Sequence, residues 1–327
     1  MAYILKSLPA DHMEYGGFQW PESGYVEAPE LYGFLNGEGD SSLACCDNDA
    51  VWKILEVENF VDFDGKVRFQ NCKILHSGTR AEMVRKMQEL CQDAAVMFSV
   101  QEGGDWSNQK AGDESTQTAG YGSTQTAGDE STQKAWGRSA QKAGHGSTQK
   151  AGSWSTQTAG GESTQTAGGE STQTAGDWST QTAGDWSTQS AGDWSNQKAG
   201  GESTQTAGYG STQTAGYGST QKAGHRSTQS AGGESTQTAG GESTQKAGHG
   251  STQKAGNWST QTAGYGSRIR GGENCTVTIY RNGYVNHGKG SVIVVRDGNN
   301  IAVYVVGKDI EANKWYRVTV DGASENG

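Results

Sequence analysis

Twenty consecutive octads, each close to Ser-Thr-Gln-Thr-Ala-Gly-x-x, run without a gap from Ser107 to Gly266. A strict short period marks a stacked, quasi-one-dimensional fold, because each unit buries its inner face only against its neighbours. Richness in glycine, serine, threonine and glutamine would by itself suggest disorder. Disorder, however, has no need of register, and register is what the repeat keeps. The hydrophobic fraction is 32% over 327 residues. Ordinary globular domains hold about 45–50% apolar residues, so one large oily core is excluded.

Strand alternation assigns the faces of the octad. Positions 1, 3 and 5 share one side and positions 2 and 4 the other. The near-constant Ser/Gln/Ala set belongs inside, where stacked glutamines form amide ladders. The Ala-Gly step is expected to be the corner, where glycine permits a positive φ and close backbone approach. Positions 7 and 8 vary widely and are expected in solvent. Two octads make a flattened 16-residue coil, ten of them over the clean region; a triangular 24-residue coil of three octads is the alternative. Positions 2 and 4 then form outward Thr-x-Thr rows, favoured in strands by the β-branch and able to hold ordered water. The rows are complete at ten places: Thr116 and Thr118, Thr124 and Thr126, Thr156 and Thr158, Thr164 and Thr166, Thr172 and Thr174, Thr180 and Thr182, Thr204 and Thr206, Thr212 and Thr214, Thr236 and Thr238, Thr260 and Thr262. Position 4 is lysine in eight other octads and serine in two, Ser190 and Ser230.

The flanks differ from the repeat. Residues 1–98 read as a small α+β domain with strands over 51–58 and 66–75 and a turn at 62–65. A helix is expected from the N-cap Thr79, with Met83, Val84, Met87, Leu90, Cys91 and Ala94 as one packing stripe. The octad phase begins near Ser99 and persists over 267–298, where Ile269, Val277, Val285 and Ile293 replace the glutamine. Residues 299–327 form a β-rich cap, with strands over 301–306 and 315–320 covering the open edge of the stack. The expected fold class is mainly β: a β-solenoid over 99–298 between an α+β domain and a β cap.

Segments such as Ala207-Gly-Tyr-Gly-Ser-Thr-Gln-Thr-Ala-Gly216 resemble the repeat of bacterial ice nucleation proteins, and the likeness covers residues 107–266. It implies a β-solenoid whose Thr-x-Thr rows order water or bind ice. That family replaces these threonines by arginines in its last coils, as Arg268 and Arg270 do here. Tyr121, Tyr209, Tyr217 and Tyr265 resemble its stacked tyrosines, which with the two arginines makes them candidates for self-association. The chain departs from the family in its shorter array, its lysines, its different ends, and corners that mix tyrosine with Trp, Glu and His. Residues 50–90 loosely resemble an uncharacterised domain that precedes such repeats in some phage and bacterial proteins.

Other function classes find little support. The net charge is -10, and the octads hold 10 basic and 12 acidic residues, so there is no basic footprint for nucleic acid. Cys45, Cys46, Cys72, Cys91 and Cys275 form neither a disulfide framework nor a metal-ligand spacing; reduced thiols, no metal and no cofactor are expected. No signal-type or membrane-spanning apolar run is visible, so the cytoplasm is the default location, with signal-less export or virion association as alternatives. The glycine spacing follows from the repeat rather than from a nucleotide-binding loop, and no nucleophile–base pair stands out; a non-enzyme is expected. Trp106, Trp154, Trp178, Trp186, Trp194 and Trp258 read as corner stacking rather than a binding comb. His145, His225 and His249 recur at corners without ligand partners. Two functions remain: an ice-nucleation-like, water-organising protein, or a structural scaffold that displays its corners and termini to a protein partner.

Overall fold

The computed structural model describes residues 2–14, 17–39, 43–45, 47, 49–63, 66–92 and 94–325. It divides into two compact units, Met1–Gln149 and Lys150–Gly327.

The first unit opens with five antiparallel strands: β1 (Ala2–Leu8), β2 (Gly24–Leu35), β3 (Val51–Val57), β4 (Phe60–Phe63) and β5 (Lys66–Gly78). β1 pairs with β2 and β3, and β5 pairs with β3, β4 and again β2, so the sheet closes on itself. Closure explains why β1 is apolar on both sides. Ile4 and Leu55 enter one cluster with Trp20, Val26 and Phe69. Their neighbours Leu5 and Ile54 enter a second cluster with Met83, Val84 and Met87. Those methionines lie on α1 (Arg80–Leu90), which Thr79 caps as expected: its hydroxyl accepts from the Glu82 backbone and Glu82 reciprocates, forming a capping box. The apolar stripe is longer than the helix. α1 stops at Leu90, Cys91 is its C-cap, and Ala94 reaches the same cluster from beyond the helix. The expected 62–65 turn also needs correction, since Asp62 and Phe63 pair with Val67 and Lys66 inside the β4–β5 hairpin. Residues 64–65 and Cys46 lie outside the described residues. The first coils follow. Val100–Glu102, Thr116–Thr118 and Thr132–Lys134 form one parallel sheet, and Asn108–Lys110, Thr124–Thr126 and Ala140–Lys142 the other.

In the second unit, parallel partners such as Thr156↔Thr172 and Thr164↔Thr180 are sixteen residues apart. The coil is therefore two octads, not three, and successive octads alternate between two sheets. We call these the Thr156 sheet and the Thr164 sheet. The serines, glutamines and nearly all the alanines of positions 1, 3 and 5 are buried between them. From Gln173 to Gln261 each inner glutamine amide uses both hydrogens. Gln189 Nε2 donates to Gln173 Oε1 of the preceding coil at 2.8 Å and to the Lys198 carbonyl of the facing sheet at 3.0 Å. The ladder thus ties coil to coil and sheet to sheet, which is how a polar interior avoids unpaired groups.

The corner differs from the expectation. The positive φ falls at position 8, in all twenty octads, and fourteen of these residues are not glycine. Glu202 has φ 50° and Trp194 φ 56°. Position-8 amides from Trp154 to Trp258 are held by carbonyls of the next coil, as Trp194 N–H is by Tyr209 O at 2.8 Å, and this offsets the left-handed strain. Of the two expected roles, the glycine at position 6 serves only the close approach: a Cβ on Gly216 would stand 2.7 Å from Gly201 N. Trp136 alone takes that place in the clean octads and projects into solvent, 68% exposed.

The glutamine column ends where the sequence turns aliphatic. Ile269, Val277, Val285 and Ile293 are fully buried and nucleate an apolar cluster with Val306, Tyr316 and Val318. Beyond them the chain direction reverses. Asn300–Val305 pairs antiparallel with Val292–Asp297, closing the Thr164 sheet, and Tyr316–Val318 pairs antiparallel with Gly283–Asn286, closing the Thr156 sheet. A further short strand, Ala323–Glu325, follows on Tyr316–Val318.

Candidate functional site: the threonine columns

Because strands of one sheet stack in register, positions 2 and 4 become straight outward columns. Neighbouring hydroxyls lie about 4.8 Å apart along a column and about 6.7 Å apart across a strand. The β-branch restricts χ1, so hydroxyl and methyl are held at fixed places on a rigid lattice.

The register decides where that lattice is continuous. On the Thr156 sheet, four successive coils carry no break: Thr156 with Thr158, Thr172 with Thr174, Thr188 with Ser190, and Thr204 with Thr206. This block holds eight hydroxyls in a two-by-four array. The next coil keeps Thr220 but brings Lys222 beside Thr206. Thr236 and Thr238 then stand on a strand between those of Lys222 and Lys254. On the Thr164 sheet, the strand of Thr164 and Thr166 and that of Thr180 and Thr182 are followed by Asn196 and Lys198. Thr212 and Thr214 meet Thr228 and Ser230 before Lys246 intervenes, and Thr260 and Thr262 are extended by Thr276 and Thr278. In the first unit, Thr116 and Thr118 adjoin Thr132 and Lys134, while Thr124 and Thr126 lie between the lysine-bearing strands of Asn108 and Ala140.

Exposure corrects the uniform outward reading of the ten pairs. Position 2 is exposed in all of them, but position 4 divides. Thr118, Thr158, Thr174, Thr206 and Thr214 are exposed, whereas Thr126, Thr166, Thr182, Thr238 and Thr262 are only half-exposed. A lysine neighbour does not account for the division, since Thr118 beside Lys134, Thr206 beside Lys222 and Thr214 beside Lys198 are exposed. All eight hydroxyl-bearing residues of the two-by-four block are exposed. The complete pairs named from the sequence are thus unequal in setting. Thr188 with Ser190, incomplete as a motif, proves to be part of the longest block. Sixteen-residue spacing would have shown this, had the coil length been fixed in advance.

Arg268 and Arg270 follow Thr252 and Lys254 on the Thr156 sheet. Arg268 lies 4.4 Å from the centre of the Trp315 ring, a cation–π contact that fixes it to the cap. The four tyrosines form no column. Tyr209 follows a strand of the Thr156 sheet, whereas Tyr217 and Tyr265 follow strands of the Thr164 sheet and lie on the opposite edge. Aromatic contacts occur instead between rings of adjacent coils at one edge. Trp178 stacks on Trp194 at 5.6 Å, and Trp194 meets Tyr209 edge-on at 5.3 Å; in the first unit Trp106 meets Tyr121 at 5.8 Å.

The corner aspartates and histidines have a structural role that the sequence reading missed. Asp193 Oδ1 accepts the Tyr209 amide of the next coil at 2.7 Å. The Nδ1 atoms of His225 and His249 accept those of Gly241 and Tyr265, and Asn257 Oδ1 that of Glu273. Asp, Asn and His share one property here: an acceptor at short reach. The signal was their shared residence at position 7.

The closed sheet of the first unit holds two buried lysines. Lys6 pairs with Glu14, which also accepts from Trp20 Nε1. Lys53 donates to Ser77 Oγ at 3.0 Å, and burial lowers its pKa. Burial also pushes the Cys72 thiol up to about 12, which keeps it protonated and inert. No group of three or more potential metal ligands occurs among the described residues.

Compared with protein families, curated proteins and solved structures, the chain gave no match. Fold and surface define its class: a β-solenoid of 16-residue coils with threonine-rich outer columns and an inner glutamine ladder.

Proposed function

We propose that the protein is a non-catalytic, ice-nucleation-like β-solenoid whose outward threonine columns organise water or bind ice. One observation carries this reading: the unbroken two-by-four block from Thr156 to Thr206, with repeat distances set by the backbone. An array of immobilised hydroxyls orders first-shell water without further entropy loss by the side chains. Lysine at position 4 disrupts such an array yet is native to the fold at eight octads, so it makes a clean perturbation. Droplet-freezing and thermal-hysteresis assays on the wild type and on the double variant Thr174→Lys with Thr206→Lys test the proposal. Freezing activity is expected in the wild type and a clear loss in the variant. Wild-type protein that behaves like an equal mass of albumin would sink the idea, as would an unaffected variant.

A second reading rests on the exposed Trp178 and Trp194, stacked on each other with the half-buried Tyr209 edge-on beside them, which offer apolar area to a protein partner. Under it the solenoid is a display scaffold. Replacing Trp178 and Trp194 by glycine, native at position 8 elsewhere, would then abolish partner binding and leave freezing unchanged.

A further inference from the structure

The two sheets of the second unit end differently. On the Thr156 sheet, the last strand is only Ala323–Glu325, and Glu325 pairs with Lys314 at 3.3 Å. Short length and charge are ordinary ways of blunting a sheet edge. On the Thr164 sheet, the last strand is the six-residue Asn300–Val305, Asn-Ile-Ala-Val-Tyr-Val, without charge or proline.

The hydrogen-bond phase of that strand is fixed. Val306 N–H donates to Ser291 O, and the register pairs Tyr304 with Ile293 and Ala302 with Val295. The backbone groups of 300, 302 and 304 therefore face inward along the ladder, and those of Ile301, Val303 and Val305 face the open edge. Val305 is closed from within: its N–H donates to Asp309 Oδ2, and its carbonyl accepts from the amides of Lys308 and Asp309. What remains open, among the described residues, is the N–H and C=O of Ile301 and Val303. Their side chains, 56% and 54% exposed, lie on the outer face.

Two open residues flanking one inward-facing residue are self-complementary. We propose that a second copy of this chain pairs antiparallel with this strand about a twofold axis at Ala302. Ile301 then exchanges both backbone hydrogen bonds with Val303 of the partner subunit, and Val303 exchanges both with the partner's Ile301. All four open groups of each copy are consumed. Each exposed isoleucine meets a valine across the join, a favourable cross-strand pair. The Asp309 hook limits pairing to these two residues, so the contact is isologous and closes at a dimer. The axis stands perpendicular to the sheet, so both copies turn the outer face of their Thr164 sheets to the same side. The inference stands independently of ice activity.

Sedimentation equilibrium of the full chain from micromolar to several hundred micromolar, with amide hydrogen exchange at both extremes, tests it. The wild type should reach a dimer, with the Ile301 and Val303 amides gaining protection as concentration rises. Val303→Pro removes an N–H that serves no internal ladder bond, a position where an edge strand tolerates proline. It should weaken dimerisation by at least about tenfold with the fold intact by circular dichroism. Val303→Lys, charged at a solvent-facing site, should do the same if the proline variant fails to fold. A wild type that stays monomeric throughout, a dimer indifferent to both variants, or assembly continuing beyond the dimer would overturn the proposal. A dimer abolished instead by Trp178→Gly with Trp194→Gly would move the interface to the corner.

Discussion

A ladder in which each rung donates to the one before has an asymmetric interior and asymmetric ends, and this makes two chemically identical substitutions differ. In the middle, Gln189→Met removes the donor to Gln173 Oε1 and the acceptor of Gln205 Nε2. Both groups are buried, and each unpaired buried group costs about 1–3 kcal/mol. The Lys198 carbonyl also loses the Gln189 amide but keeps the Ala183 N–H. The expected loss is therefore about 2–6 kcal/mol, less a small gain from the thioether. At the end of the ladder the count changes. Gln253 Oε1 already lacks a hydrogen-bond partner, because the next residue in its column is Ile269. Gln253→Met orphans Gln237 Oε1 but removes Gln253's own orphan, so the number of unpaired acceptors is unchanged, and methionine packs on Ile269. Its expected effect is within about 1 kcal/mol of zero. Because a repeat stack opens locally rather than all at once, native-state hydrogen exchange is the assay, read at the strand of each substitution. Equal losses at the two sites would refute the argument and show that the ladder hydrogen bonds contribute little beyond packing.

Three other outcomes are expected. His287 is buried at a position held by alanine in the octads, and burial lowers its pKa from 6.5 to about 4. The unfolded chain binds the extra proton between those values, so stability is full above about pH 6.5 and declines by about 3 kcal/mol as pH falls through 4; urea titrations across that window should show the slope, and His287→Ala should remove it. Asp193→Ala leaves the Tyr209 amide to solvent and should cost about 1 kcal/mol of local stability by hydrogen exchange, with Asp193→Asn close to neutral. Arg268→Ala loses the contact with Trp315 and should loosen the cap by about 1 kcal/mol, read as faster exchange in Tyr316–Val318 with the mid-stack unchanged.

The sequence told most where its alternation was strict. Ser, Gln and Ala inside with Thr outside followed from the twofold period alone, and the aliphatic end of the column followed from Ile269 and its successors. The corner misled because glycine carries two meanings, conformational freedom and absence of bulk. Octad spacing cannot separate them, and here position 6 needs the second while tryptophan and glutamate at position 8 supply the first. The coil length was legible only as a choice between sixteen and twenty-four, since faces of a stack are set by register between distant strands. β1 was missed because closure buries both of its sides, which removes the polar–apolar alternation by which strands are recognised, and β2 because Pro29 and a register shift between Glu27 and Leu31 interrupt its alternation. The distinction between an isolated pair such as Thr236 and Thr238 and the block from Thr156 to Thr206 likewise depends on which residues become neighbours sixteen positions later.

That sixteen-residue neighbourhood bears on how such an array can be inherited. Octads are interchangeable to the interior, so replication slippage that loses one of them leaves every serine, glutamine and alanine with an equivalent partner. The exterior is less forgiving. Loss of a single octad transfers all later strands to the opposite sheet; without residues 163–170, for instance, the strand of Thr156 would be followed by that of Thr180 and then by that of Asn196, which brings Lys198 into the hydroxyl row. Loss of two octads restores every strand to its own side. The fold can be edited in steps of eight residues, but the pattern on its surface survives only in steps of sixteen.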